Sequence, residues 1–526
     1  MAIALFDKYE SVLDRIDTIK YSGTIERVQG GLLESRGPQA VVGELCRIDR
    51  GGDDDFVPAE VVGLNGNRVQ LMAYRDIEGV EVGCSVTATG DVLRVPVSER
   101  LLGRVIDGLG RPIDGKNEIH GDELYPINAE PPDVLRRRRI ETQIETGIRA
   151  VDGLVPVGEG QRMGIFSGSG LGKSTMLGMI ARNTSADVNI IALIGERGRE
   201  VREFLEYDLG AEGLKRSVVV VSTSDTPPLS RYRAASVATT IGEYFRDQGA
   251  NVMLLFDSVT RYARAVREIS LARGEFPANR GFTPSVFSGL PKLLERCGTS
   301  EHGTMTGFYA ILVEGDDMDE PIADTVRGIL DGHLVLSRRL AQRAHYPAVD
   351  VLGSISRLAN RVTDPRVHEA VMKLRRWIAV YQENEDVINV GAYSEGSNPE
   401  LDDAIARIDA IYDFLRQDIA ERTELEETRR GLCELAGIPW EERGAAEDDS
   451  GESPVGEADG GAEGEGNAGA EIEVEAAADE DAGAEGNAGA GGEADGDREI
   501  AGGGQSDWGR ETDWGPVSSR DEEERE

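Results

Sequence analysis

The stretch Met163–Arg182, MGIFSGSGLGKSTMLGMIAR, constrains this chain more than any other. A short apolar strand, Met163–Phe166, runs into a loop of small residues and then an apolar helix from Lys173. In that setting Ser167-Gly168-Ser169-Gly170-Leu171-Gly172-Lys173-Ser174 reads as a phosphate-binding loop. Glycines let successive backbone N–H groups turn toward one anion, and a side chain there would fill the space the phosphate needs. The helix that follows adds the positive end of its dipole. Lys173 offers a point charge to the β- and γ-phosphates and Ser174 a hydroxyl to Mg²⁺. The usual first glycine is Ser167, a position that only begins the turn. A plain glycine-rich strand-to-helix turn is the alternative, and Gly-Lys-Ser at the helix start argues against it.

A loop of this kind needs a parallel sheet around it, and the chain supplies one. Between about Glu141 and Leu358 apolar strands alternate with helices: Met163–Phe166, Asn189–Ile194, Ser217–Val221, Val252–Phe256, Phe308–Val313 and Leu334–Leu336. Helical stretches are expected at Glu200–Leu209, Arg233–Arg246 and Val259–Ala272. Such sheets bind ligands at the C-terminal ends of their strands. Before this region, residues 21–96 carry short β-rich runs broken at Gly30-Gly31, Gly51-Gly52 and Asn65-Gly66, the pattern of a small β-barrel. Leu101–Gly115 reads as a turn-rich connector, and Arg136–Arg139 as a solvated face or a set of salt-bridge partners. The fold class is therefore α/β: a barrel at 21–96, a P-loop NTPase domain at 97–363 and helices over 364–443. Val371–Gln382 and Leu401–Leu415 are the clearest of those helices, followed by Ile419–Leu435.

The two ends differ from the body. Leu5, Tyr9, Val12, Leu13, Ile16 and Ile19 make one apolar stripe on a helix within residues 1–20, which either packs on its own domain or docks a partner. Residues 444–526 hold 27 acidic and four basic residues in a Gly/Ala-rich background, with a repeat at Ala462–Ala470 and Ala484–Ala490. Too few apolar residues are present there to offset the entropy of ordering, so a disordered acidic tail is expected. Two Asp-Trp-Gly triplets, Asp507–Gly509 and Asp513–Gly515, interrupt it.

Across 526 residues the formal charge is −40, which argues against general affinity for nucleic acid or anionic lipid. The barrel shows no interleaving of basic and aromatic residues, so single-strand binding is disfavoured. Cys46, Cys84, Cys297 and Cys433 form no metal-ligand spacing and fit a reducing compartment. No apolar run reaches the ~18 residues of a membrane span. Charged residues at Asp7, Lys8 and Glu10 stand where a signal peptide has its apolar core, so a soluble protein inside the cell is expected.

Three further elements complete a hydrolytic site. Asn251–Asp257 is an apolar strand ending in an acid, which fits a Walker B carboxylate holding Mg²⁺ opposite Ser174. Another strand runs into Gly195-Glu196-Arg197-Gly198-Arg199-Glu200. Glu196 is placed to orient the attacking water, or else pairs on the surface with Arg197 or Arg199. Arg261 either completes a charge cluster around the γ-phosphate or is a structural partner of Glu196.

The P-loop, GERGRE (195–200), FDSVTRYARAVRE (256–268), VEGDDMDEPIADTVRGILDGH (313–333) and HYPAVDVLGSISR (345–357) together resemble the flagellar type III export ATPases, relatives of the catalytic subunit of rotary ATP synthases. The likeness runs from about Thr18 to Arg443. It implies an ATP- and Mg²⁺-dependent hydrolase with Lys173 and Ser174 on phosphate and metal, Gly168 to Thr175 around the nucleotide, and Thr175 near the α-phosphate. Glu196 would be the catalytic glutamate, Arg197 an accessory charge, Asp257 the Walker B acid and Arg261 a sensor. Arg357 would be an arginine finger reaching into the next subunit of a homo-hexamer. Tyr346 would stack on adenine, with Tyr393 a second wall, unless both are core residues.

The same resemblance implies a stator-like regulator docked on the first helix, with export chaperones and substrate proteins as further partners. It implies peripheral contact with a membrane export gate and a place at the cytoplasmic membrane beneath the flagellum. A virulence-type secretion ATPase shares all these motifs. A rotary synthase subunit would need a non-catalytic partner, whereas this chain carries both Glu196 and Arg357. An RNA translocase conflicts with the acidic charge, and a non-catalytic subunit with the presence of Lys173 and Glu196.

Overall fold

The computed structural model describes residues 20–52 and 55–440. The expectations for a docking helix in residues 1–20 and for the acidic tail at 444–526 fall outside these residues, apart from Lys20.

Six strands, β1 (Ser22–Gln29), β2 (Leu32–Arg36), β3 (Glu44–Gly52), β4 (Asp55–Asn65), β5 (Arg68–Ala73) and β6 (Ser85–Val92), close into a barrel in the order β1-β2-β5-β4-β3-β6. Its centre is filled by small and branched residues such as Ile25, Leu33, Ile48, Val61, Leu71 and Val86. Gly30 and Gly31 both take positive φ, +55° and +88°, which is the backbone a tight two-residue hairpin needs. β2, with its polar Glu34, Ser35 and Arg36, carries too little apolar alternation to be read as a strand from the sequence. Only pairing with β1 and β5 reveals it.

The next strands are β7 (Arg94–Val97), β8 (Arg104–Asp107), β9 (Glu123–Pro126), β10 (Arg162–Ser167), β11 (Val188–Ile194), β12 (Ser217–Ser222) and β13 (Asn251–Asp257). After them come β14 (Gly298–Thr299), β15 (Thr304–Leu312), β16 (Gly332–Leu336) and β17 (Val349–Ser356). β7 and β9 form a separate ribbon. The others make one sheet in the order β17-β16-β10-β15-β13-β11-β12-β8, with β14 alongside β15. All ladders from β8 to β16 are parallel except that of β14, and β17 returns antiparallel. Helices such as Pro228–Asp247 and Val259–Ala272 cover it.

Two expectations are corrected. Leu101–Gly115 is more than a connector, because it contains β8, a strand of the main sheet parallel to β12. Turn signals dominate there because Asp107 Oδ1 accepts from the backbone of Leu109 and Arg111 straight after a four-residue strand. The helix expected over Ile419–Leu435 begins only at Leu425, after a loop. The stretch Glu200–Leu209 is helical as expected, an α-helix, Gly198–Glu203, running into a π-helical turn, Phe204–Leu209. The arginine run is partly a staple. Arg137 donates to the carbonyls of Cys297 and Glu295, and Arg138 to those of Ser300 and His302.

A buried ion pair ties the barrel to the sheet. Arg233, on the helix Pro228–Asp247, donates from Nε to Glu60 Oε2 of β4 at 2.8 Å, and Tyr74 donates to the same oxygen at 2.5 Å. Both charges are nearly sealed from water, so neither tolerates losing the other. At the far end the helices Pro365–Asn389, Pro399–Leu415 and Leu425–Ala436 pack together. No helix among the described residues is long and apolar enough to cross a membrane. All four cysteines are free.

Candidate active site

The phosphate loop leaves the sheet from an interior strand. β10 is buried along most of its length and lies between β15 and β16, so its C-terminal end is held on both sides. Ser167 closes that strand, its backbone in register with Leu312 and Leu336 and its hydroxyl buried without a partner. A serine at this place therefore leaves the loop's interior clear. Gly170 and Gly172 adopt φ of +78° and +84°, a region costly for residues with a Cβ. A Cβ on Gly170 would meet no protein atom within 4 Å, so the space beside it is open to a ligand. The helix Lys173–Asn183 starts on Gly172 with no side-chain cap, leaving its first N–H groups for an anion.

Beside the loop four charges converge. The Lys173 ammonium contacts the Asp257 carboxylate and stands 3.9 Å from Glu196 Oε1. Arg261 Nε lies 4.0 Å from the same oxygen. Register explains the meeting. Leu193 of β11 pairs with Asp257 of β13, so Glu196 emerges three residues later beside that acid. Gly195 permits the turn: its φ is +73°, and a Cβ there would lie 2.9 Å from Arg261 Cβ.

The electrostatics suit proton and water handling. Burial pushes the Glu196 carboxyl up to about 7, Asp257 adds to the rise, and Lys173 opposes it. Glu196 Oε1 and Arg261 Nε are both buried without a hydrogen-bond partner. Two polar atoms beside one cleft with no hydrogen bond of their own are groups a ligand would satisfy. The cleft measures about 620 Å3 and is lined by Gly168, Ser169, Gly170, Ser174 and Thr175 together with Glu196, Arg197 and Arg261. Among the described residues no group of three or more His, Cys, Asp or Glu could hold a metal alone. One hydroxyl and one carboxylate, Ser174 and Asp257, fit the sparse protein ligation that Mg²⁺ takes beside phosphates.

A second cleft of about 330 Å3 adjoins the loop. Leu171, Met176, Met179, Leu336, Tyr346 and Ile419 give it an apolar lining of a size suited to a planar base. Tyr346 is 45 % exposed, which rules out the alternative of core packing. Its ring carbons would lie 3.9 Å from a Cβ on Gly172, directly over the loop. Sequence reasoning missed Met176, Met179 and the segment Gln417–Ile419. The last comes from a loop between the final helices and carries no motif.

Other residues lie elsewhere. Arg197 is at the cleft mouth, 70 % exposed and paired with Glu200 at 3.1 Å. Tyr393 is not brought to the base cleft. Its hydroxyl donates to Asn398 O and Asp402 Oδ1, closing the turn before the helix Pro399–Leu415. Arg357 is exposed at the other end of the sheet. Ser356 pairs with Gly332, and Gly332 with Met163, at the start of β10. Four residues at ~3.3 Å each separate Met163 from Ser167, so Arg357 stands about 13 Å along the strands from its own phosphate loop.

Comparison with known proteins agrees with this architecture. The ATP synthase alpha/beta family matches with its nucleotide-binding domain over residues 147–356 and its beta-barrel domain over 25–90. The T3SS EscN ATPase C-terminal domain matches residues 363–434. The flagellum-specific ATP synthase of Treponema pallidum is 56 % identical over 438 residues, 83 % of this chain and 98 % of that one. The assembled ATPase EscN of the enteropathogenic E. coli type III secretion system superposes with a TM-score of 0.75 at 44 % identity, over 79 % of this chain and all of that one. The same ATPase in complex with its central stalk EscO gives a TM-score of 0.74 at 43 % identity, again over 79 % of this chain and all of that one. The chain belongs to the flagellum-specific and type III secretion ATPases of the ATP synthase alpha/beta family.

Proposed function

We propose that this protein hydrolyses ATP in a homo-hexameric ring and that the reaction energises export of flagellar proteins across the cytoplasmic membrane. The observation that carries the reading is the separation of two essential parts. Lys173, Glu196 and Asp257 meet at one end of the sheet, while Arg357 is exposed at the other. In this reading a single subunit carries both halves of a site at opposite ends of its sheet. A copy placed with its Arg357 at a neighbour's loop completes the site.

In that site the backbone N–H groups of 168–175 cradle the phosphates and Lys173 turns from Asp257 to them. Asp257, so released, and Ser174 would hold Mg²⁺, which would neutralise phosphate charge. Glu196 orients a water in line with the terminal phosphate and takes its proton. Arg261 steadies that carboxylate, with Arg197 supplying charge at the mouth. Arg357 of the neighbouring copy stabilises the charge that develops on the transferred group, worth about 10³–10⁵ in rate. Tyr346 stacks on adenine. By likeness to EscN with its stalk, a central stalk-like partner is included in the reading. A stator-like regulator, export chaperones, substrate proteins and an export gate at the membrane complete the assembly, in the cytoplasm.

Steady-state hydrolysis measured against protein concentration tests this, for wild type, Glu196→Gln and Arg357→Ala. The rate per chain climbs steeply for wild type, while both variants bind nucleotide and stay flat. A constant rate per chain together with an unaffected Arg357→Ala overturns the shared site. The match to the type III secretion C-terminal domain keeps a virulence-type role as the second reading. Restoration of motility in a bacterium lacking its flagellar export ATPase decides for the first.

A further inference from the structure

One wall of the base cleft is borrowed. Gln417, Asp418 and Ile419 belong to the loop between the helices Pro399–Leu415 and Leu425–Ala436, far in sequence from the phosphate loop. The loop has no regular structure of its own, so something else must hold its shape. Two ties are local to the cleft. The Gln417 N–H donates to the carbonyl of Tyr346 at 2.9 Å. Arg182, in the last turn of the helix Lys173–Asn183, donates to the carbonyl of Ile419 at 2.8 Å.

The main tie comes from behind. Arg149 begins the short helix Arg149–Leu154, and its side chain is only 14 % exposed. Its guanidinium donates to the carbonyls of Phe414 at 2.6 Å and Arg416 at 2.5 Å and to Thr423 Oγ1 at 3.0 Å, and it pairs with Glu421. The plane also lies over the Phe414 ring, 5.6 Å from its centroid. The Arg149 backbone N–H donates to Gln417 Oε1 at 2.9 Å. The amide of Gln417 in turn donates to the carbonyls of Gly147 at 2.7 Å and Glu421 at 3.1 Å. Gln417, itself buried, thus spends its amide inward and presents no polar edge to a base. One planar fork holds both ends of the loop at once, which a lysine cannot reproduce.

We infer that Arg149 is a positioning residue for the nucleotide base: it holds the 416–424 loop as the outer wall of the base cleft without touching the ligand. This rests on the reading of that cleft as the base site. The energy involved is that of several charge-assisted hydrogen bonds, enough to change base affinity at least about tenfold. The phosphate cleft, anchored on β10 and Lys173, is lined by no residue of the loop.

The test uses the full chain with two probes, a fluorescent N-methylanthraniloyl ATP and inorganic tripolyphosphate. Arg149→Ala weakens the fluorescent nucleotide at least about tenfold, leaves tripolyphosphate unchanged, and raises KM for ATP with kcat within about twofold. Arg149→Lys, which keeps stem and charge and loses the fork, shows the same pattern with smaller amplitude and stands in should the alanine variant fold poorly. Unchanged nucleotide affinity in both variants overturns the inference, as does equal loss of both probes. If wild type binds tripolyphosphate and its nucleotide affinity is no greater, the base-site reading itself fails, a result distinct from either.

Discussion

The two adjoining clefts are built on opposite plans. The phosphate cleft draws Lys173, Glu196 and Asp257 from the C-terminal ends of parallel strands of one sheet, and each of these is announced by a compact motif. Gly-Lys-Ser follows β10, Gly-Glu-Arg follows β11, and Asp257 ends β13. The base cleft is apolar and gathers single residues from the helix Lys173–Asn183, from Tyr346 and from the 416–424 loop. Charge chemistry requires particular atoms and so marks its sequence, whereas an apolar slot requires only shape, which many residues can supply.

Lys173→Ala should separate the clefts most sharply. It leaves Asp257 without its buried cation and the phosphates without a point charge, so tripolyphosphate affinity falls about 10²–10³-fold. A titration with that probe alone reads the loss, and retention of affinity would mean that the backbone cradle dominates. Tyr346→Ala should act on the other cleft only. Loss of stacking raises KM for ATP about tenfold while tripolyphosphate inhibition is unchanged. If inhibition weakens too, the clefts are not independent.

The smallest expected effect is in the pH profile. Because burial holds the Glu196 carboxyl near 7, it is protonated below that value and ionised above it. The free enzyme's kcat/KM should therefore rise several-fold as pH passes from 6 to 8, about one unit to each side of that pKa. The residual activity of Glu196→Gln should lack this limb. A wild-type profile flat across that range would place the water-orienting proton elsewhere.

Much of the sheet was legible because buried parallel strands are continuous apolar runs bounded by turns, as Asn189–Ile194 and Val252–Phe256 are. Legibility failed where pairing rather than composition makes the element. β8 is four residues long within a run of turn signals, and β2 is half polar. At the C-terminal end, the helix expected over Ile419–Leu435 starts only at Leu425, after a loop whose Arg416 carbonyl and Thr423 hydroxyl are bonded to Arg149. Tyr393, plausible as an aromatic wall, is bound instead to Asp402 in a local turn.

By itself the sequence determined the phosphate loop, the strand-end acids Glu196 and Asp257, and the order of barrel, sheet and helices. Each rests on local chemistry or on the period of apolar residues. Only the tertiary structure decided that Lys173, Glu196, Asp257 and Arg261 meet, that Arg357 lies at the other end of the sheet, and that a loop bonded to Arg149 lines the apolar cleft beside the phosphate loop. Those facts depend on strand register and on contacts between residues hundreds apart, and spacing along a chain does not encode either.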